Sequence, residues 1–165
     1  ANFRTRTTKE KMAKCTCTLN GEGGSVSGSL RLSQLSEDAP TIIQGEIKGL
    51  SPGKHAISVH VYGDLTDGAT SGGAIFNPFG KNHGAPEDEE RMVGDLGNVI
   101  TTDDGKTAVH IEDKVVKLIG PHSVIGRSIV VHAGEDDCGR GGHELSLTTG
   151  NSGARVAAGV IGISP

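Results

Sequence analysis

The sequence predicts an all-β protein of about eight short antiparallel strands. Glycine is abundant, with 26 among 165 residues, whereas aromatic residues make up only 2%. Short runs of alternating or β-branched residues are separated by turn signals along the whole chain. Strands of this length and spacing are typical of an eight-stranded antiparallel Greek-key β-sandwich or flattened barrel.

Each strand is predicted from period-two alternation or from a short apolar run bounded by turns. In chain order the strands are 14–20, 25–35, 41–48, 56–61, 93–100 (continuing over 98–102), 107–112, 128–132 and 156–163. The turn Asp103-Asp104-Gly105 indicates a hairpin between the fifth and sixth strands. The segment 115–118 is predicted to be irregular.

Two long loops interrupt this pattern, one between 61 and 93 and the other over 133–153. Loops of this length are uncommon in a compact domain unless they have a function. Residues 1–12 are polar and basic, which predicts a flexible N-terminal arm before a single domain over 13–165.

Charge and hydropathy exclude several classes of function. The net charge of −4 argues against a nucleic-acid-binding protein, which is usually basic. No run of eighteen apolar residues is present, so no membrane helix is expected. A start at Ala1 without methionine is compatible with a processed secreted protein.

The three cysteines, Cys15, Cys17 and Cys138, leave at least one thiol unpaired. Cys15 and Cys17 alternate on one strand and should share a face, where small buried side chains are the simplest reading. A disulfide from either one to Cys138 stays open. Their CxC spacing would suit a copper chaperone, but it lies in a strand and not in a free tail.

Three segments carry a family resemblance: FNPFGKNHGAPEDEERMVGDLGN, IGRSIVVHAGEDDCGRGG and GNSGARVAAGVIGI, in that order. Together they resemble the copper/zinc superoxide dismutase family over about 14–163. The resemblance implies copper bound by four histidines and zinc bound by three histidines and one aspartate. One histidine is shared, so the family has seven ligand positions.

On the copper side, two of these positions have lost their histidine. The first ligand of an H-x-H triplet is Ser58, although the second remains as His60. The shared histidine position, directly before FNP, is Ile75. The last copper ligand remains as His132, at the end of SIVVH.

On the zinc side, His83 and Asp95 remain, but the third histidine position is Met92. Two protein ligands are too few for a closed zinc site. A thioether is a soft ligand that suits Cu(I) better than zinc. His83 and Asp95 are therefore expected either to bind metal weakly or to serve only as hydrogen-bonding residues.

Other features that the resemblance implies are partly retained. Asp136 matches the aspartate that links the two sets of histidines, and Arg155 matches the arginine that guides superoxide. The loop 144–148, however, lacks the second acid and the lysine of the family pattern. The two positions of the family disulfide are Ala69 and Ala158.

Loss of the disulfide leaves the first long loop without its covalent link, which typically stabilises by about 2–5 kcal/mol. We expect Ile75 and Met92 to pack into the vacated pocket and to hold the loop instead. The resemblance also implies a homodimer, with higher homo-oligomers open, because the edges 62–64, 125–127 and 160–163 match the family's dimer surface.

Counting ligands predicts a non-catalytic, extracellular relative of the family with no tightly bound cofactor and at most weak copper or zinc. Among such degenerate members, the haemolymph proteins of bivalve molluscs (cavortin, dominin) are the most similar, which implies transport, storage or defence. The alternative is a superoxide dismutase of low activity. Its copper would be held by His60 and His132, with Ser58 and water completing the site.

Overall fold

The computed structural model describes residues 12–165, which form one eight-stranded antiparallel sheet rolled into a nearly closed barrel. The strands are β1 (Ala13–Asn20), β2 (Ser27–Gln34), β3 (Thr41–Lys48), β4 (Gly53–His60), β5 (Asp95–Thr101), β6 (Lys106–Asp113), β7 (Ser128–His132) and β8 (Arg155–Ile163). Their order in the sheet is β5-β4-β7-β8-β1-β2-β3-β6. The predicted fold class is confirmed. Residues 1–11 of the predicted arm lie outside the described residues.

The first strands show how the sequence pattern becomes a sheet. In β1, Cys15, Cys17 and Leu19 are 1% exposed or less, whereas the residues between them face outward. This alternation follows from the opposite directions of successive side chains in a strand. All three cysteines are free thiols in the described chain, so neither β1 cysteine pairs with Cys138.

The two edge strands, β5 and β6, meet at the predicted hairpin. The Oγ1 atoms of Thr101 and Thr107 are hydrogen-bonded at 2.7 Å, and the amide of Thr102 donates to Lys106 at 2.9 Å. Gly105 has φ of 78°, which favours glycine at this turn. The hairpin thus brings the ends of the sheet together and leaves few free strand edges.

The strand β4 is buried on both faces over its last six residues. Ile57 and Val59 point into the apolar core, while Ser58 and His60 lie on the outer face and are still buried. The long loops cover this outer face. One contains a 3₁₀ turn at Gly68–Gly72, and the other contains the short helix α1 (Ser146–Thr149).

No helix in residues 12–165 is long and apolar enough to cross a membrane. The irregular segment predicted at 115–118 contains no strand of the sheet. The core of the barrel therefore lies inside the sheet, and the polar residues of interest lie between the sheet and the two loops.

Truncating a core side chain should test this arrangement. Ile57→Ala is expected to lower the free energy of unfolding by about 2–5 kcal/mol, because the side chain is fully buried. Ile100→Ala is the matched control, since Ile100 is 62% exposed, and it should cost less than about 1 kcal/mol. Urea unfolding of both variants measures the difference, and equal losses would contradict the assigned core.

Candidate functional site

Two histidines meet on the outer face of the barrel because β4 pairs with β7. His60 ends β4 and His132 ends β7, and the centroids of their rings are 5.9 Å apart with an angle of 30° between the ring planes. Both side chains are buried. The structure therefore brings together the two histidines predicted for the copper side.

Backbone carbonyls fix the tautomer of both rings. His60 Nδ1 lies 2.9 Å from the carbonyl oxygen of Gly73, and His132 Nδ1 lies 3.1 Å from that of Gly153. Since a carbonyl only accepts, each Nδ1 donates, and each Nε2 of a neutral ring carries a lone pair. Burial lowers the pKa of His60 to about 4 and also lowers the pKa of His132. Both rings are thus ready to ligate at neutral pH.

Ser58 forms the closest contact to the ligating side of His60. Its Oγ lies 2.9 Å from His60 Nε2 and donates its hydrogen to that nitrogen. A metal ion binding at Nε2 would replace this hydrogen bond. The hydroxyl would then be released beside the metal, where its oxygen is a weak further donor.

A cavity of about 590 Å³ opens beside the two rings. Ile75, Met92 and Arg155 line it together with the histidines, and no Asp or Glu is among its described lining residues. Ile75 and Met92 are 7% and 8% exposed. Their packing into this pocket, which the sequence predicted, is therefore confirmed, although they leave part of it open.

The zinc-side residues form a closed hydrogen-bonded group. His83 Nδ1 lies 2.6 Å from Asp95 Oδ1, and His83 Nε2 lies 2.6 Å from Asp136 Oδ1. The other oxygen of Asp95 accepts hydrogen bonds from the amides of Gly84 and Met92. Both ring nitrogens of His83 and both carboxylate oxygens of Asp95 are therefore already hydrogen-bonded within the protein.

His83 is held in its protonated form by this environment. Burial alone would lower the pKa of His83, but the hydrogen bonds to Asp136 and Asp95 and the charges of these carboxylates outweigh it and raise the pKa to about 9. The imidazolium therefore lies between two carboxylates and joins the two long loops.

The two sides differ in how well they fit a metal. A closed zinc site has four ligands, and here His83 and Asp95 are bonded to one another. In residues 12–165, no three side chains of His, Cys, Asp or Glu are grouped to hold an ion. That finding holds for both sides, but the zinc-side residues are bonded to one another and do not fit zinc, whereas His60 and His132 remain as two neutral imidazoles that could bind copper.

Arg91 positions this part of the first loop, and the sequence reasoning missed it. It is only 4% exposed, pairs with Asp113 at 2.7 Å, and donates to the carbonyl of Asp95 at 2.6 Å. It also donates to the carbonyls of Met92 and Val93. The only signal in the sequence is a single basic residue that follows the acidic run 87–90.

Asn98 and Gly150 complete the surroundings of Asp136. The amide of Asp136 donates to Asn98 Oδ1 at 2.7 Å, and Asn98 Nδ2 donates back to the carbonyl of Asp136 at 2.9 Å. Gly150 has φ of 67°, and a Cβ there would lie 1.9 Å from Asp136 Oδ1. Only glycine therefore allows His83 and Asp136 to approach at this point.

Arg155 lines the cavity beside the histidines and also a second cavity, whose walls include Ala69 and Ala158. Arg155 Nη1 donates to the carbonyl of Ala69 at 3.0 Å and to that of Thr70 at 3.4 Å. Ala158 is buried on β8. Where the resemblance placed a disulfide between 69 and 158, Arg155 now holds the loop through backbone carbonyls. His55 is buried, and its two ring nitrogens lie 2.7 Å from the carbonyl oxygen of Ser51 and 3.0 Å from that of His132.

Comparison with known proteins identifies the family. The profile described as copper/zinc superoxide dismutase (SODC) matches residues 26–161. The chain belongs to the copper/zinc superoxide dismutase family. A Cu-Zn superoxide dismutase of Cryptococcus neoformans var. grubii is 53% identical over 154 residues, which cover 93% of this chain and 99% of that protein.

These comparisons correct three predictions. The prediction of a non-catalytic protein is wrong, because a protein 53% identical over almost the whole chain is a Cu-Zn superoxide dismutase. The prediction that no cofactor binds tightly is contradicted by the same relative and by membership in a metal-binding family. The closer likeness to mollusc haemolymph proteins finds no support here. The count of lost metal ligands gave too much weight to the three positions without histidine, Ser58, Ile75 and Met92.

The charged group around His83 should give a measurable pH dependence in metal-free protein. The pKa of His83 in the folded protein, about 9, lies above the ordinary 6.5. Protonated His83 therefore stabilises the folded state fully below pH 6.5. The free energy of unfolding should therefore fall as the pH rises through 9. Asp136→Asn should reduce this fall, and Glu135→Gln, an exposed neighbour paired with Lys54, is the control. A histidine NMR titration that places the pKa of His83 near 6.5 would contradict the assignment.

Proposed function

We propose that this chain is a superoxide dismutase of low activity that binds copper through His60 and His132. The observation that supports it is the pair of neutral imidazoles, whose ring centroids are 5.9 Å apart and which line one cavity. An imidazole nitrogen binds such metals at about 2 Å, so both rings can reach one ion. The 53% identical relative supports the same activity.

The chemistry that bound copper supplies is one-electron transfer, in which one superoxide is oxidised to dioxygen and a second, with two protons, is reduced to hydrogen peroxide. The protein has to hold the ligands, attract the anion and limit access. Gly73 and Gly153 hold the rings by accepting from each Nδ1. These carbonyls also make Nε2 the ligating atom on both histidines.

Arg155 supplies the positive charge that attracts superoxide. Its guanidinium lines the same cavity as the two histidines, and hydrogen bonds to the loop carbonyls fix its position. A positive group at the end of a low-dielectric cavity raises the local concentration of an anion. Ile75 and Leu145 form apolar parts of the cavity wall and limit the approach of larger molecules.

Low activity is expected for two reasons. Two of the four copper positions in the family pattern, Ser58 and Ile75, carry no imidazole. The segment 144–148 carries the exposed side chains Leu145 and Leu147 and contains no lysine, so anion steering rests mainly on Arg155.

A homodimer is the expected assembly, since members of this family are typically homodimers. Tyr62, Val160 and Ile163 are exposed apolar side chains at 60%, 38% and 80%. They lie on the edges that match the family's dimer surface, and their burial would remove an exposed apolar patch. The extracellular location stays a prediction.

Removing either histidine should abolish the activity. His60→Gln and His132→Gln should each lower copper-dependent dismutation to the level of free-copper controls, because one imidazole alone does not hold the ion. His110→Gln, at an exposed position on β6, is the matched control and should keep the wild-type rate. Superoxide consumption after copper reconstitution measures this. Wild-type rates in both site variants would contradict the proposed ligands.

Restoring the two missing imidazoles should strengthen the site. The double variant Ser58→His/Ile75→His should bind copper at least about tenfold more tightly and dismutate superoxide faster than the wild type. The control is Ser58→Ala/Ile75→Val, which changes the same positions without adding a donor. Equal copper affinity in the two double variants would show that copper does not bind between β4, β7 and the first loop.

A further inference from the structure

Met92 lies in the same cavity as the two histidines, and we propose that its thioether is a third copper ligand that makes the site favour Cu(I). This inference rests on the proposed copper site at His60 and His132. It adds a donor of a different chemical kind and assigns an oxidation state. Met92 stands at a histidine position of the zinc side in the family pattern, and the inference assigns its sulfur to copper instead.

The first support is the placement of Met92. Its side chain is 8% exposed and lines the cavity beside His60 and His132. Its amide donates to Asp95 Oδ2 at 2.8 Å, and its carbonyl accepts from Arg91 Nε at 3.2 Å. The backbone is therefore fixed on both sides. The unbranched side chain has three rotatable bonds, which lets its sulfur adapt to an ion.

The second support is the set of donors that the cavity leaves free. Both oxygens of Asp95 are engaged, Oδ1 with His83 and Oδ2 with two amides. The available strong donors are then two imidazole nitrogens and one thioether. Soft sulfur ligands select Cu(I), whereas Cu(II) favours tetragonal sites of nitrogen and oxygen donors. A set of two nitrogens and one sulfur suits the cuprous ion.

The third support is the charge of the cavity. No Asp or Glu is among its described lining residues, and Arg155 adds a positive charge. Ile75, which stands where the family has its shared histidine, contributes only hydrocarbon to the cavity. Placing an ion of charge +1 in such surroundings costs less than placing one of charge +2. Electrostatics and ligand softness therefore favour the same oxidation state.

The test uses the full chain loaded with Cu(I) under anaerobic conditions. Copper K-edge absorption spectroscopy should show one sulfur neighbour in the wild type and none in Met92→Leu. Competition with the cuprous chelator bicinchoninate should show at least about tenfold weaker Cu(I) binding by that variant, with Cu(II) affinity little changed. Ile75→Leu is the matched control, because it alters the same cavity wall without removing a donor.

A second measurement does not depend on the variant. When the methionines are replaced by selenomethionine, the copper spectrum should show a selenium neighbour from Met92, since Met12 is 39% exposed and does not line the cavity. Absence of a sulfur or selenium neighbour, or an unchanged Cu(I) affinity in Met92→Leu, would overturn the inference. If His60→Gln weakens copper binding in that case, the proposed function still stands. If wild type and His60→Gln bind copper equally, the inference about Met92 and the proposed function both fail.

Discussion

The pairing of β4 with β7 is the constraint on which the site depends. It places the two strands side by side, so that the rings of His60 and His132 lie 5.9 Å apart on the outer face, where the loops bury them. Burial makes the protonated rings unfavourable, and the carbonyls of Gly73 and Gly153 satisfy each Nδ1. A register shift of one residue in β4 would turn His60 into the core and Val59 toward the loops. The chemistry of the site is therefore a consequence of strand register.

The loops that cover this face are held by polar contacts inside the protein. His83 joins Asp95 on one loop to Asp136 on the other, Arg91 fixes the backbone around Asp95, and Arg155 holds the turn at Ala69. Such buried charged groups stabilise only when every donor and acceptor is satisfied. Here the charges are paired and hydrogen-bonded. These contacts order the loops without a disulfide between positions 69 and 158, which are both alanine.

Much of this could be predicted from the sequence. Period-two alternation located the strands, and the turn at Asp103-Asp104-Gly105 located the hairpin. The family resemblance located His60, His132, His83 and Asp95. The roles of Arg91 and Asn98 could not be predicted, because their partners lie on other strands or loops. The function was predicted wrongly, since a count of lost ligands does not show how the remaining donors are oriented. The tautomers of the two rings, the hydrogen bond from Ser58 to His60 Nε2 and the presence of Met92 in the same cavity became visible only in three dimensions.

The central claim is that copper binds to His60 of β4 and His132 of β7. Anomalous X-ray diffraction at the copper absorption edge, from crystals of the copper-reconstituted chain, tests it most directly. We expect one peak within bonding distance of Nε2 of both His60 and His132, on the cavity side where Met92 lies. A cavity without a peak, or copper bound only at surface histidines such as His110 or His143, would contradict the account.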